Sequence, residues 1–158
     1  MALKDKAADA RGVALKYLSF RDRSITEVRN KLIQKGFDGP DIDSTIDYLM
    51  TAGYLNDDKF ACSLVSSRIK NKFWGPAKIS AELASKGISR EAIAKALPSG
   101  EAFENAAVDA LKKWLRKNRL AMPLNAGESV RANRFLKGLG YQTYIVMKVL
   151  GRRHNQEA

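Results

Sequence analysis

The residues best able to do chemistry in this chain are an adjacent carboxylate pair, Asp57-Asp58, one cysteine, Cys62, one histidine, His154, and a run of cations around two aromatic rings between Arg68 and Lys78. Asp57 and Asp58 follow Gly53-Tyr54-Leu55-Asn56, where a helix ends and another begins. Adjacent positions on a helix point about 100° apart, so the two carboxylates do not converge as an acid/base pair. Asn56 has the chemistry of an N-cap, and the two aspartates complement the positive end of the helix that follows. Cys62 falls among apolar helix positions and reads as a small buried side chain. A lone cysteine forms no internal disulfide and fits a reducing cytoplasm. With one histidine and one cysteine there is neither a metal-ligand set nor a nucleophile–base pair. No phosphate-cradling glycine loop is present. These absences argue against catalysis, a metal or a cofactor.

The cations remain. Net charge is +11 over 158 residues, divided as 0 over residues 1–57, +5 over 58–100 and +6 over 101–158. Positive charge concentrated beyond the first third suits phosphates or an acidic protein surface. Arg68, Lys70, Lys72 and Lys78 surround Phe73 and Trp74, an interleaving that suits base stacking or an aromatic interface anchor, although Trp74 could equally plug a gap between helices. Lys112, Lys113, Arg116, Lys117 and Arg119 lie along a second stretch. Arg131, Arg134 and Lys137 share one helix at spacings of three and extend the patch, or form a solvated face. The candidate contacts with DNA are therefore non-specific and to the phosphate backbone, of single or double strands, and should weaken with salt.

Helices must position these residues. Ala10, Val13, Ala14, Tyr17 and Leu18 recur at helical spacing. Ser24-Ile25-Thr26-Glu27 is a capping box opening a helix that carries Ile25, Val28, Leu32 and Ile33 inward and stops at Lys35-Gly36. Gly39-Pro40-Asp41 opens a third, with proline at its first position, running through Ile42, Ile46 and Leu49 to Gly53. Gly53 suits the left-handed helix end because it has no Cβ, and Tyr54 and Leu55 would cover that end. The pattern returns in Phe60–Ile69, Ile79–Leu83 before Lys86-Gly87, and Ile93–Leu97 before Pro98-Ser99-Gly100. A third pass holds Phe103–Leu115, a loop over 120–127, a helix from near Glu128 to Leu139 closed by Gly140, and a last segment. Tyr144–Met147 alone has strand composition, but register decides otherwise. Leu32, Leu83 and Leu136 align, as do Gly36, Gly87 and Gly140, then Phe37, Ile88 and Tyr141, Ile42, Ile93 and Val146, and Ile46, Leu97 and Leu150, at offsets of 51 and 104. Residues 143–151 therefore read as helix, and the chain as tandem repeats: 1–55, 56–100 and 101–151, with a basic tail at 152–158. No apolar run is long enough to span a membrane, and the N-terminus lacks a secretory h-region.

The serine-started helix Ser24–Gly36, the segment Gly53-Tyr54-Leu55-Asn56-Asp57 with Phe60, and the run Gly75-x-x-x-Ile79, Glu82-Leu83, Lys86-Gly87-Ile88 resemble the RecX family of bacterial regulators of the RecA recombinase, over residues 10–151. The resemblance implies an all-α body of three tandem three-helix repeats, elongated and curved. It further implies a role in homologous recombination and DNA repair, binding the groove of the RecA filament on DNA and suppressing ATP hydrolysis and strand exchange; the chain itself is expected to be a monomer. No catalytic residue or cofactor comes with it. A RecA-independent, non-specific DNA-binding or scaffold module is the alternative. A helix-turn-helix reader of sequence is disfavoured by the third helices: one presents Asp41, Asp43 and Asp47, one is short, and one offers a single lysine.

Overall fold

A computed structural model describes residues 2–151, with side chains from Lys6 onward; the tail at 152–158, with His154, lies outside the described residues. Among the described residues nine helices run in order: α1 (Ala2–Leu18), α2 (Ile25–Gln34), α3 (Gly39–Thr51), α4 (Asp57–Lys72), α5 (Pro76–Ser85), α6 (Arg90–Ala96), α7 (Gly100–Asn118), α8 (Ala126–Gly138) and α9 (Thr143–Gly151). Among the described residues there is no strand. The fold is an all-α helical repeat, and α9 is helical despite its β-branched composition, as the repeat register requires. No helix of the described residues is long and apolar enough to cross a membrane.

Residue contacts group the chain into a first unit, Met1–Ser63 with Leu83–Ala94, and a second, Leu64–Glu82 with Lys95–Ala158. In the first, α1, α2 and α3 pack on one another around Ala10, Ala14, Val28, Leu32, Ile42, Ile46, Leu49 and Leu55. In the second, α7, α8 and α9 pack mutually, burying Phe103, Ala107, Leu111, Ala132, Leu136, Ile145 and Val149.

Helix ends follow the sequence closely, with informative departures. Ser24 and Glu27 form the capping box. A second box, Asn125 with Glu128, starts α8 two residues before the expected point, because asparagine accepts from the N3 amide as serine does. Asp38 caps α3, which puts Pro40 at the second helical position and not the first. Asn56 Oδ1 accepts from Lys59 N at 3.0 Å, as a cap should. Asp57 does something else: its Oδ1 accepts from Ile25 N at 2.9 Å and so serves the start of α2. Burial raises the Asp57 carboxyl above its ordinary value, with Asp58 and Glu27 adding repulsion against the Ile25 bond.

Three apolar expectations fail. Cys62 is exposed and not buried, Ile33 is exposed and not inward, and Tyr54 is exposed, leaving Leu55 alone to cover the end of α3. Cys62 and Ile33 each follow a buried helical position, Ala61 and Leu32, and the 100° step takes the next residue off the core face, whereas Tyr54 lies in the turn between α3 and α4 beside the buried Leu55.

The same contact between two helix ends occurs once in each unit. In the first, the turn closing α5 meets the start of α2: Ser24 Oγ donates to Lys86 O at 2.6 Å, Lys86 Nζ lies 3.4 Å from Glu27 Oε1, and a Cβ on Gly87 would fall 2.5 Å from Thr26 Cβ. Burial pulls Glu27 upward, but the hydrogen bonds from Arg21 and the Ser24 amide and the charges of Lys86 and Arg21 outweigh it, so the carboxyl lies below its ordinary value. In the second, the turn closing α8 meets the start of α5: Gly75 N donates to Leu139 O at 2.7 Å, Ala77 N to Gly140 O at 3.2 Å, and a Cβ on Gly140 would fall 2.6 Å from Lys78 N.

Candidate nucleic-acid interface

The basic and aromatic residues of the second unit are placed by the linker from α4 to α5. Phe73, directly after α4, has φ 54°, an unusual conformation for a residue with a Cβ. Three contacts hold it and its neighbours. Tyr141 Oη donates to Phe73 O at 2.8 Å, Gly75 N is bound by Leu139 O, and Lys78 Nζ donates to Gly138 O at 3.3 Å. Burial, with the charge of Asp109 added, raises the Tyr141 phenol, which therefore stays protonated as a donor.

On this support three cations gather at one indole. Lys78 Nζ lies 4.6 Å, Lys72 Nζ 5.0 Å and Arg68 Cζ 5.5 Å from the centre of the Trp74 ring, all within cation–π range. Arg68 is also held by Glu82, its Nε and Nη2 each donating at 2.6 Å. That bidentate bond raises the guanidinium above its ordinary value against the opposing effect of burial, and Glu82's charge adds to it. Arg68 therefore ties α4 to α5 and offers its plane to Trp74; its charge is already matched.

Beside Phe73 opens a groove of about 440 Å³ lined by Lys72, Lys113 and Lys117 and by Phe73, Trp114 and Phe135, with no carboxylate in its lining. Lys113 Nζ is 5.3 Å from the Phe73 ring. Trp114 and Phe135 stack with centroids 5.8 Å apart and planes at 24°. Arg131 reaches the same indole at 5.7 Å and donates to Asn118 Oδ1 at 3.2 Å.

Of the residues singled out from sequence, Arg68, Lys72, Trp74 and Lys78 thus share one ring, Lys113 and Lys117 line the groove with Lys72, and Arg131 joins it through Trp114. Lys112 faces Asp109 at 3.8 Å. Lys70, Arg116, Arg119, Arg134 and Lys137 are exposed outside the groove lining, and Arg119 takes the left-handed position that ends α7. Sequence reasoning missed Phe135, Asn118 and Tyr141. Trp114 lies in an apolar stripe and passed as core, and Tyr141 aligns with Phe37 and Ile88, so that only its hydroxyl distinguished it.

This arrangement suits binding. Ammonium groups beside half-buried aromatic rings accept a phosphate chain together with flat, unsaturated groups. Among the described residues no group of three or more metal-ligating side chains occurs.

Residues 10–49 match the family model described as RecX, first three-helix domain, and residues 56–97 the one described as RecX, second three-helix domain. Curated relatives named "Regulatory protein RecX" include one from Leptothrix cholodnii, 31% identical over 150 residues, covering 95% of this chain and 92% of the relative. Another, from Salmonella paratyphi A, is 36% identical over 138 residues, with 81% of each chain covered. In structure, the chain is similar to the crystal structure of RecX from Lactobacillus salivarius, with a TM-score of 0.84 at 22% identity, covering 95% of this chain and 97% of that one. A second crystal structure, of a regulatory protein RecX, gives 0.80 at 23% identity, with 96% of this chain and 74% of that one covered; both likenesses concern the fold. With both three-helix models matched and relatives above 30% identity covered almost end to end, the chain belongs to the RecX family of regulatory proteins.

Proposed function

We propose that this protein regulates homologous recombination by binding the RecA filament on DNA and inhibiting RecA ATP hydrolysis and strand exchange, without chemistry of its own. The observation that carries the reading is the carboxylate-free groove of Lys72, Lys113 and Lys117 among Phe73, Trp114 and Phe135, next to the cation-ringed Trp74. The lysines meet phosphates of the filament's DNA or acidic groups of its subunits. The rings meet exposed bases or an apolar side chain. Family membership supports RecA as the protein partner.

A bound regulator shifts a conformational cycle only through different affinities for its states. A chain that engages more than one filament subunit at once favours the arrangement that fits it. If that arrangement hydrolyses ATP slowly, inhibition follows from binding alone. The test is a titration into RecA, single-stranded DNA and ATP at moderate salt: RecA ATPase should fall, and an unchanged rate at saturating protein refutes the reading. Salt separates this from a RecA-independent DNA-binding module. Purely phosphate-driven binding collapses as salt rises, whereas filament binding should persist at salt where bare DNA is lost.

A further inference from the structure

The zero net charge of residues 1–57 conceals a segregated surface in the first unit. Asp38, Asp41, Asp43 and Asp47 belong to α3 and its cap, Asp57 is bound to Ile25 N, and Glu27 is engaged by Arg21 and Lys86. None of them lines a groove of about 480 Å³ that holds Lys16, Arg23, Lys31 and Lys35 with Tyr17 and Phe20. Four cations therefore share one concavity without a carboxylate in its lining.

The parts of this groove differ in how far they are already committed. Arg23 lies over Tyr17 at 3.9 Å and near Glu27 at 3.9 Å, and Lys31 approaches the same ring at 5.5 Å. These build the wall. Phe20, just past the end of α1, is 74% exposed, and Lys16 and Lys35 are exposed beside it in the lining. A phenyl ring displayed in water among ammonium groups gains nothing for the fold, since its surface stays unburied.

We propose that this groove is a second nucleic-acid site, separate from that of the second unit and independent of RecA, and that it takes a single strand: phosphates on Lys16 and Lys35, and a base on the Phe20 ring. A single strand is favoured because stacking on an aromatic side chain requires an unstacked base, which a duplex does not present. An acidic peptide would satisfy the lysines but leave the ring without a flat partner. The proposal goes beyond the RecA reading and stands on different residues.

The experiment uses the full chain without RecA, in a Lys113→Gln/Lys117→Gln background that weakens the second unit's groove. Binding of labelled oligothymidylate and of a matching duplex is followed by anisotropy across a salt series. Phe20→Ala should weaken oligothymidylate binding by about tenfold with little change in salt slope, and leave the duplex unaffected. Lys16→Gln/Lys35→Gln should lower the slope of log affinity against log salt for the single strand by about 1.4, which is two contacts at about 0.7 each. All five of these positions are exposed, and unchanged helicity by circular dichroism shows that the variants fold. Unchanged oligothymidylate binding in Phe20→Ala, or equal losses for single strand and duplex, overturns the proposal. So does polyglutamate competing as well as oligothymidylate. Because RecA is absent, such a failure leaves the ATPase test standing, and the reverse holds as well.

Discussion

Replacing glycine by alanine at three equivalent helix-closing turns separates backbone strain from docking. Gly36, Gly87 and Gly140 all have positive φ, at 84°, 77° and 92°, and in each case alanine costs about 1 kcal/mol for the left-handed conformation. Gly36 has no heavy atom within 4 Å of an added Cβ, so Gly36→Ala measures that cost alone. At Gly140 the added Cβ would lie 2.6 Å from Lys78 N and Cβ. A backbone atom cannot rotate away, so the turn and the start of α5 must separate, losing Gly75 N to Leu139 O and Ala77 N to Gly140 O. At about 1 kcal/mol for each hydrogen bond, Gly140→Ala should cost about 3 kcal/mol in all. At Gly87 the obstacle is Thr26, whose hydroxyl can rotate away but whose Cβ at 2.5 Å cannot, and the Ser24–Lys86 and Lys86–Glu27 contacts are lost in the same way. Gly87→Ala should again cost about 3 kcal/mol. Urea unfolding measures this, with far-ultraviolet circular dichroism for the whole chain. Tryptophan fluorescence reports the second unit, which holds both Trp74 and Trp114. Gly140→Ala should lower the fluorescence midpoint most. If Gly87→Ala and Gly140→Ala cost no more than Gly36→Ala, the docked turns do not exist in solution and the reasoning fails.

Removing either partner of the Arg68–Glu82 pair, as in Arg68→Gln or Glu82→Gln, should cost about 2 kcal/mol, because a charge-assisted bidentate bond is lost and a largely covered charge is left behind; urea midpoints decide it, and a neutral result would mean that the pair is open to water. Asn56→Ala with Asp57→Ala should cost about 2 kcal/mol, since two different helix starts each lose a cap. Loss of DNA or filament binding with stability intact would instead make that corner a contact surface. The Glu27 carboxyl lies below its ordinary value in the fold, so its contribution is present above the unfolded value near 4.5 and is lost as pH falls through the folded one. Glu27→Gln should therefore flatten the acid side of a stability–pH curve. Asp57 acts in the opposite sense: its raised carboxyl favours the fold at low pH and loses that advantage as pH rises through the folded value, so Asp57→Asn should steepen the acid-side loss. Chemical denaturation at stepped pH checks both signs.

Much of the fold is visible in the sequence because its helix ends are chemically explicit. Ser24 with Glu27, Asn56 and the glycines at 36, 53, 87 and 140 mark boundaries through local hydrogen bonds and φ alone. Tertiary choices are less visible. Asp57 has an unmet amide in its own helix and another at Ile25, and only the packing brings the second within 2.9 Å. Charge shows the same limit. Counting Lys and Arg located the second unit's cations but gave nothing for the first unit, where the acids of α3 cancel Lys16, Arg23, Lys31 and Lys35 in a sum while occupying different surface. The reverse error concerns Arg68, a cation by count and a matched ion pair in the structure.

Stability and the site of the second unit meet in the α8 turn. Leu139 lines the groove with its side chain and binds Gly75 with its carbonyl, while Tyr141, two residues on, holds Phe73 in its left-handed conformation. Phe73 and Trp74 carry the rings, and the helices on either side carry Lys72 and Lys78. The Lys72–Phe73 side of the groove is thus set against α7 and α8 only when the turn is docked, because hydrogen bonds between residues 138–141 and the α4–α5 linker hold it there. The absence of any side chain at position 140 therefore matters for the geometry of the proposed groove as well as for stability. Gly140→Ala should impair DNA binding even where the chain remains folded, whereas Gly36→Ala, in a turn with nothing docked on it, should leave binding in the second unit unchanged.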